Sequence, residues 1–563
     1  MDAGDANDDG DAGDASDIPC TGKPGTFHDQ PFTSGGETRH YYLHVPSDYR
    51  CQDAWPMLVD FHGTGFSMNT TDTVEESWAT DEMVAVADAE HFIVVRPRSR
   101  YKAETGGYVY QWDINPGDLG KNRAFAVALV QDIEQRYHVD PRRLYASGFS
   151  NGPAMATQFL ADDPLFFHGF GLVAGGLNDP VTRAHPFDAA TAPRVYDSTG
   201  YRDYMRPTLR SLVTFAGAQQ LPADHLWIRE SDTGHELYGW HFREMFGWMD
   251  RGERPPPGTL AKGWSRETFA GAQSLIQLGR SPSGKWYATA SDGAIWRRDA
   301  AGIWTQTATL ESTDWTGQPF APSLSDICFD AQGRGYAVGD GVFVTSADGS
   351  SWTVAPKMPE FGAMQFGFTY ATSIACGASR VTAGGVWSSA TSSDAGHSWS
   401  AASMQAQGAA AFVSAVRAAP SGTWLALGYW DYMGQSSDGV TYGAPNPPQQ
   451  IQWYNDGASA PGGKWWVVGE KGTIDSSSDD AASFTAQTAP LSLEDLYAVA
   501  FGDDGLRGMA VGAHGAAYVT TDGGATWTDA STGLDGFLGD VKWIDAHTLL
   551  VVGEHGTVLT FTM

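Results

Sequence analysis

Residues 142–156 read RRLYASGFSNGPAMA, and this stretch decides the fold of the N-terminal half. Leu144–Ser147 is a short apolar run of strand character, and the segment from Asn151 to Leu160 has helical character with small residues at its start. Pro153 suits the first turn of a helix, where its missing N–H costs nothing. Between them lies Gly148-Phe149-Ser150-Asn151-Gly152, a G-x-S-x-G element. The pentapeptide alone is weak evidence. Placed between a strand and a helix it is specific, because so sharp a turn holds its serine strained and exposed, and flanking glycines let the backbones pack closely.

Working outward, residues 36–250 alternate short apolar runs with amphipathic stretches. Strands are expected at Arg39–Val45, Met57–Phe61, Phe92–Val95, Leu144–Ser147, Gly169–Val173, Arg194–Tyr196 and His225–Ile228. Helices are expected at Glu75–Ala89, Lys121–Tyr137, Asn151–Leu160 and His241–Met249. Continuous apolar runs separated by helices describe a mostly parallel sheet covered on both faces. With the serine turn, this resembles an α/β-hydrolase. That resemblance implies a base and an acid downstream of the serine, in the order serine, acid, histidine.

His168, His185, His225, His235 and His241 follow the serine. His235, in SDTGHELYGW, occupies a polar loop after the last expected strand and is the candidate base. His225 opens a strand, His241 opens a helix, and the other two come early. For the acid, APRVYDSTGYRDYMRP offers Asp197 within the strand and Asp203 in the loop beyond it. Asp203 is preferred, with Asp224 as fallback. An oxyanion needs two N–H donors. Asn151 offers one and Thr64 or Gly65, in MLVDFHGTGFS, the other. His62 reads as a loop-fixing residue at the edge of the substrate cleft. Trp112, in VYQWDIN, either lines that cleft or sits in the core.

His62-Gly63-Thr64-Gly65, HVDPRRLYASGFSNGPAMA, GYRDYMRP and TGHE together resemble the polyhydroxybutyrate depolymerase and feruloyl/acetylxylan esterase family. The likeness spans about residues 20–250. The family's GxADxxxP pattern falls on Gly200–Pro207 and supports Asp203. The chain departs from the family at Lys121-Asn122-Arg123, at Gly152-Pro153 and at Glu236-Leu237, positions that bear on the substrate cleft. The resemblance implies a serine ester hydrolase with Ser150 as nucleophile, His235 as base and Asp203 as its partner, and no cofactor or metal.

Residues 251–262 (RGERPPPGTLAK) read as a linker. From 263 to 563 helical periodicity is gone. Aspartates recur in turns at 348, 394, 438, 479 and 522, at intervals of 46, 44, 41 and 43 residues. A period in the forties with about four strands per unit marks a β-propeller, here of seven blades. The last repeat stops at Met563 one strand short, and WSRETF (264–269) is expected to supply that strand and close the ring, removing open sheet edges. The turns resemble the Asp-box of sialidases and of photosystem II assembly factor-like propellers, implying architecture rather than catalysis. The whole is therefore multidomain, an α/β-hydrolase followed by an all-β propeller.

Composition narrows the setting. The formal net charge of −31 argues against nucleic acid or an anionic lipid surface as partner. The sequence has no apolar run long enough for a membrane span. Residues 1–19 form an acidic tail, with seven Asp in the first 17 residues and little to bury, so they are expected to be disordered. The tail resembles the tether after the lipidated Cys of bacterial lipoproteins, which implies an exported protein whose leader and lipid anchor preceded Met1. In an oxidising compartment Cys20 and Cys51 are expected to pair, while Cys328 and Cys376 either pair or stay as buried thiols. The functional expectation is an exported esterase acting on a polymeric ester: a polyhydroxyalkanoate, another polyester, or feruloyl or acetyl esters of plant polysaccharide. The propeller would bind or space, with aromatics such as Trp465 and Trp466 gripping polymer or packing blades. The alternative is a cell-surface propeller that docks proteins beside an accessory or degenerate hydrolase.

Overall fold

The computed structural model describes residues 20–67, 79–104, 107–112, 116–177, 185–313, 317–355, 371–386, 388–404, 412–428, 432–444, 453–487 and 494–563. The acidic tail and the first residues of the expected helix at 75–89 lie outside them. The chain divides into two compact units. One comprises 1–197, 208–227 and 237–254; the other comprises 198–207, 228–236 and 255–563.

The first unit is built on an eight-stranded sheet. Its strands are β1 (Gly25–Ser34), β2 (Glu37–Val45), β3 (Trp55–Phe61), β4 (Ile93–Pro97), β5 (Val139–Phe149), β6 (Gly169–Val173), β7 (Arg194–Ser198) and β8 (Leu226–Ile228), in the order β1-β2-β4-β3-β5-β6-β7-β8. β1 and β2 run antiparallel at one edge, whereas β3 is parallel to both β4 and β5, and β5 to β6. Side chains alternate between two cores. Met57, Val59 and Phe61 face one with Phe125, Met155 and Phe159; Leu58 and Val94 face the other with Met83, Phe242 and Phe246. Burial on both faces explains the continuous apolar runs. Helices α1 (Ala79–Glu90), α2 (Pro116–Arg136), α3 (Gly152–Asp162), α4 (Arg206–Ala218) and α5 (Gly239–Arg251) cover the sheet. β1 and α4 were not anticipated. β1 is an edge strand of half-exposed, mixed residues and lacks the apolar run that marks its neighbours.

The second unit contains seven blades. Their first strands are Leu275–Arg280, Asp326–Phe329, Ala371–Cys376, Val413–Ala418, Tyr454–Ala460, Leu496–Phe501 and Leu538–Trp543. Each first strand lies against the next, and the seventh lies against the first, so the ring closes. The final blade ends with Val558–Thr562, and Trp264–Arg266 pairs antiparallel with it through Trp264–Phe561 and Arg266–Leu559. The expected closure by the start of the propeller is thus present. Part of the segment expected to be a linker is held to the propeller, since Thr259 N–H donates to Gly533 O and Ala261 N–H to Thr532 O. In the fourth blade the outermost segment Thr441–Tyr442 instead pairs parallel with Ser403–Met404 of the third.

The turn aspartates at 394, 479 and 522 hydrogen-bond within their own turns. Asp394 accepts from the N–H and hydroxyl of Ser398, and Asp479 and Asp522 do the same with Ser483 and Thr526. Trp352 packs near Tyr287 of the preceding blade, and Trp399 lies edge-on to Phe343. Trp465 and Trp466 are 1% and 2% exposed. They pack blades, with Trp466 stacked on Phe501 at 3.5 Å, and do not form a gripping surface. Both cysteine pairs are disulfides, Cys20–Cys51 and Cys328–Cys376, the second joining the first strands of two adjacent blades.

Candidate active site

The parallel register of β3 and β5 sets Phe61 beside Gly148. The loops that leave these strand ends therefore emerge side by side, where open α/β sheets present their sites. Ser150 takes a left-handed conformation, φ 60°. Few non-glycine residues adopt it, because Cβ crowds the following carbonyl. Packing forces the turn. A Cβ on Gly152 would lie 1.8 Å from Phe61 O, and one on Gly148 would lie 2.6 Å from the Gly152 carbonyl carbon. Only glycine at both positions lets α3 begin this close to β3. Asn151 is the N-cap of α3, and its side-chain Oδ1 accepts from the Trp112 N–H at 2.5 Å. Its own N–H lies at the positive end of the helix.

Beneath the turn, Asp60 accepts from Ser147 Oγ at 2.7 Å and from Arg96 Nε at 2.9 Å, a buried ion pair. His62 is buried, and its Nε2 accepts the Ser99 N–H at 3.0 Å, so its proton resides on Nδ1, toward Gly63 O. Burial lowers the imidazole pKa to about 3 and keeps it neutral. Trp112 is 1% exposed. Its indole N–H donates to His62 O at 3.1 Å and its ring abuts Phe61 and His62, so it braces the loop from within the core. Thr64 is partly exposed, and Gly65 begins a short strand paired with Tyr110.

Asp203 and His235 belong to the second unit, on two loops that pair with each other. Tyr201 N–H donates to Ser231 O and Arg202 N–H to Thr233 O, both at 3.0 Å. Gly200 permits the approach, since a Cβ there would meet Thr233 O at 2.1 Å. Asp203 is fully buried. Its carboxylate accepts from the Met205 N–H at 2.8 Å and lies 3.1 and 3.2 Å from His235 Nδ1. A carboxylate only accepts, so Nδ1 is the donor in this contact. Tyr204, unforeseen from sequence, places its hydroxyl 3.4 Å from Nε2 and its ring 4.6 Å from the imidazole. Burial, with Asp203 adding to it, pushes that phenol above its usual range and keeps it protonated.

The other acids and bases considered lie elsewhere. Asp197 is buried inside β7, and Asp224 is exposed in a 3-10 turn. His225 Nδ1 donates to Ala192 O, and His241 accepts the Tyr238 N–H at the start of α5.

No family model matches the chain. Over 196 residues it is 30% identical to NocK of Nocardia uniformis subsp. tsuyamanensis, named as an esterase; the match covers 34% of this chain and 50% of that protein. The chain carries a hydrolase domain similar to esterases. It is also 28% identical over 139 residues to poly(3-hydroxyalkanoate) depolymerase C of Paucimonas lemoignei, covering 24% of this chain and 31% of that one. Over 117 residues it is 28% identical to the bifunctional acetylxylan esterase/xylanase XynS20E of Neocallimastix patriciarum, covering 21% and 15%. This chain thus spans half or less of the length of these relatives. Among solved structures, YCF48 from Cyanidioschyzon merolae aligns with TM-score 0.44 and 14% identity, covering 53% of this chain and 99% of its own. A streptogramin B lyase aligns with TM-score 0.45 and 10% identity, covering 53% and 96%. The blade count rests on the strand pairing.

Besides Tyr204, the sequence reading of the hydrolase domain missed the buried pair formed by Arg202 and Asp232. Two charged residues inside GYRDY and SDTGH were the available signal, since charges so near an expected acid and base are seldom idle.

Proposed function

We propose that the protein is an exported serine carboxylic ester hydrolase that acts on polymeric esters, with Ser150 as nucleophile, His235 as general base and Asp203 as its orienting acid. The observation that carries this is the left-handed Ser150, held between two glycines that admit no Cβ. The Asp203–His235 contact adds an imidazole oriented by a buried carboxylate. In this reading Ser150 Oγ attacks the ester carbonyl and its proton passes to His235 Nε2. The leaving alcohol takes that proton, and the N–H groups of Asn151 and of Thr64 or Gly65 receive the oxyanion. Water then attacks the acyl-enzyme and releases the acid, restoring the serine.

The polymeric substrate is suggested by the depolymerase and acetylxylan esterase among the relatives. Export is consistent with two disulfides. The propeller then serves as a binding or spacing module. The test is hydrolysis by the full chain and by Ser150→Ala of p-nitrophenyl acetate and butyrate, methyl ferulate, acetylated xylan, and aliphatic and aromatic polyester films. Serine-dependent turnover with a preference is expected. A folded wild-type protein silent across the panel, or an undiminished Ser150→Ala, would reject the reading and favour a propeller that docks proteins.

A further inference from the structure

Among the contacts that tie the segment Gly200–Pro207 and its partner loop to the propeller blades, those of Tyr201, Tyr204 and Arg202 lie nearest Asp203 in the chain, all within the second unit. Tyr201 is buried with Ile276, Tyr497 and Phe537, from the first, sixth and seventh blades. Tyr204 packs against Val386, Phe412 and Trp453, from around the third to fifth blades. Between them Arg202, 4% exposed, grips Asp232 with Nε at 3.1 Å and Nη2 at 2.8 Å. The same guanidinium donates to Gln277 Oε1 and to Ser414 O, each at 3.1 Å, on the first and fourth blades. Of the four hydrogen bonds of the Arg202 guanidinium, two thus hold Asp232 and two reach the blades.

These contacts border the acid–base pair directly. Arg202 precedes Asp203, and Asp232 lies three residues before His235. A bidentate guanidinium–carboxylate pair fixes both partners in one plane, which lysine cannot do. A buried pair of this kind is weak evidence for stability, because desolvating both charges offsets their attraction. Specifying geometry is the better-attested use of such a pair.

We propose that the propeller is a positioning device for catalysis: the Arg202–Asp232 clamp, seated on Gln277 and the Ser414 carbonyl, holds the Asp203 and His235 loops in register. The inference rests on the triad reading above and gives the propeller a role in the reaction itself, beyond binding or spacing. Arg202, Asp232 and Gln277 are positioning residues and touch no substrate.

The experiment compares the full chain with four variants on p-nitrophenyl butyrate, reading kcat and KM separately, the rate of covalent labelling by a fluorophosphonate, and thermal unfolding. Arg202→Lys keeps the charge and loses the fork. Arg202→Met combined with Asp232→Leu removes both charges, so neither is left buried alone. Both are expected to lose about 10–100-fold in kcat and labelling rate at unchanged KM and unfolding temperature, the size of effect a misplacement near 1 Å produces. If either fails to fold, Gln277→Leu decides, with an expected fall of about 3–10-fold in kcat at unchanged KM. The fourth variant, Ser150→Ala, separates the two claims. If it is inactive while folded clamp variants, or Gln277→Leu, turn over within twofold of wild type, the positioning inference is wrong and the esterase reading stands. If it retains wild-type activity, the esterase reading itself has failed.

Discussion

Gly152→Ala is the perturbation that most directly tests how the serine turn is built. The added methyl would stand 1.8 Å from Phe61 O, 2.8 Å from Phe61 C and 3.3 Å from His62 O. Real Cβ atoms stay beyond 3.0 Å. The start of α3 must therefore retreat from β3 by roughly 1.2 Å, and because the neighbours are backbone, no rotamer change relieves the contact. Overpacking of this kind costs about 1–3 kcal/mol. For a unit of this size, about 2 kcal/mol corresponds to about 4–8 °C in melting temperature. The retreat also carries Ser150 and the Asn151 N–H with it, and a displacement near 1 Å costs about 100-fold in rate. The control is Gly120→Ala in α2, where a Cβ meets nothing within 4 Å. That change should stabilise by about 0.5–1 kcal/mol through helix propensity and leave kcat alone. Thermal unfolding beside p-nitrophenyl butyrate hydrolysis reads both. Gly152→Ala with a wild-type melting temperature and kcat within twofold would refute the argument that close packing of α3 on β3 sets the serine's position.

Three further outcomes are expected. Asp203→Asn should lower kcat by about 10³–10⁴-fold with KM little changed, because the imidazole loses its fixed tautomer; a tenfold loss or less in steady-state kinetics would assign the acid elsewhere. Hydrogen bonds from Ser398 hold Asp394 down to about 2, and those from Ser483 and Ser477 hold Asp479 down to about 2. A folded value below the unfolded one stabilises above the ordinary carboxylate range, near 4, and that contribution is lost as pH falls through about 2. The decline of propeller melting between about pH 4 and 2 should hence be less steep in Asp394→Asn with Asp479→Asn than in wild type; identical acid profiles for wild type and double variant would contradict this. Replacing Cys328 and Cys376 together with serine reopens a loop of 48 residues, and should cost about 4 kcal/mol in the propeller transition by denaturant titration. An unchanged midpoint would show that the cross-link constrains nothing in the unfolded chain.

Much of this molecule was legible in its amino-acid order because the information is local or periodic. The serine turn is announced by five residues between a strand and a helix, and the fold obeys with φ 60° at Ser150. The propeller follows from aspartate turns spaced in the forties, and its closure by Trp264–Arg266 from a last repeat that ends one strand short. These features depend on backbone geometry and strand count, which neighbouring residues encode. What only the tertiary structure decided joins residues far apart in the chain. β1 carries no apolar run, and its place at the sheet edge depends on β2. Cys328 and Cys376 became partners because two inner strands lie side by side. Trp112 and Trp466 were assigned to packing by their burial, a property of the surroundings and not of the residue. The Arg202 fork, with Asp232, Gln277 and Ser414 as partners across intervals of 30, 75 and 212 residues, leaves no spacing for a sequence to display. A buried charge must find its counter-charge and acceptors wherever the fold places them, and that choice is made by the assembled core.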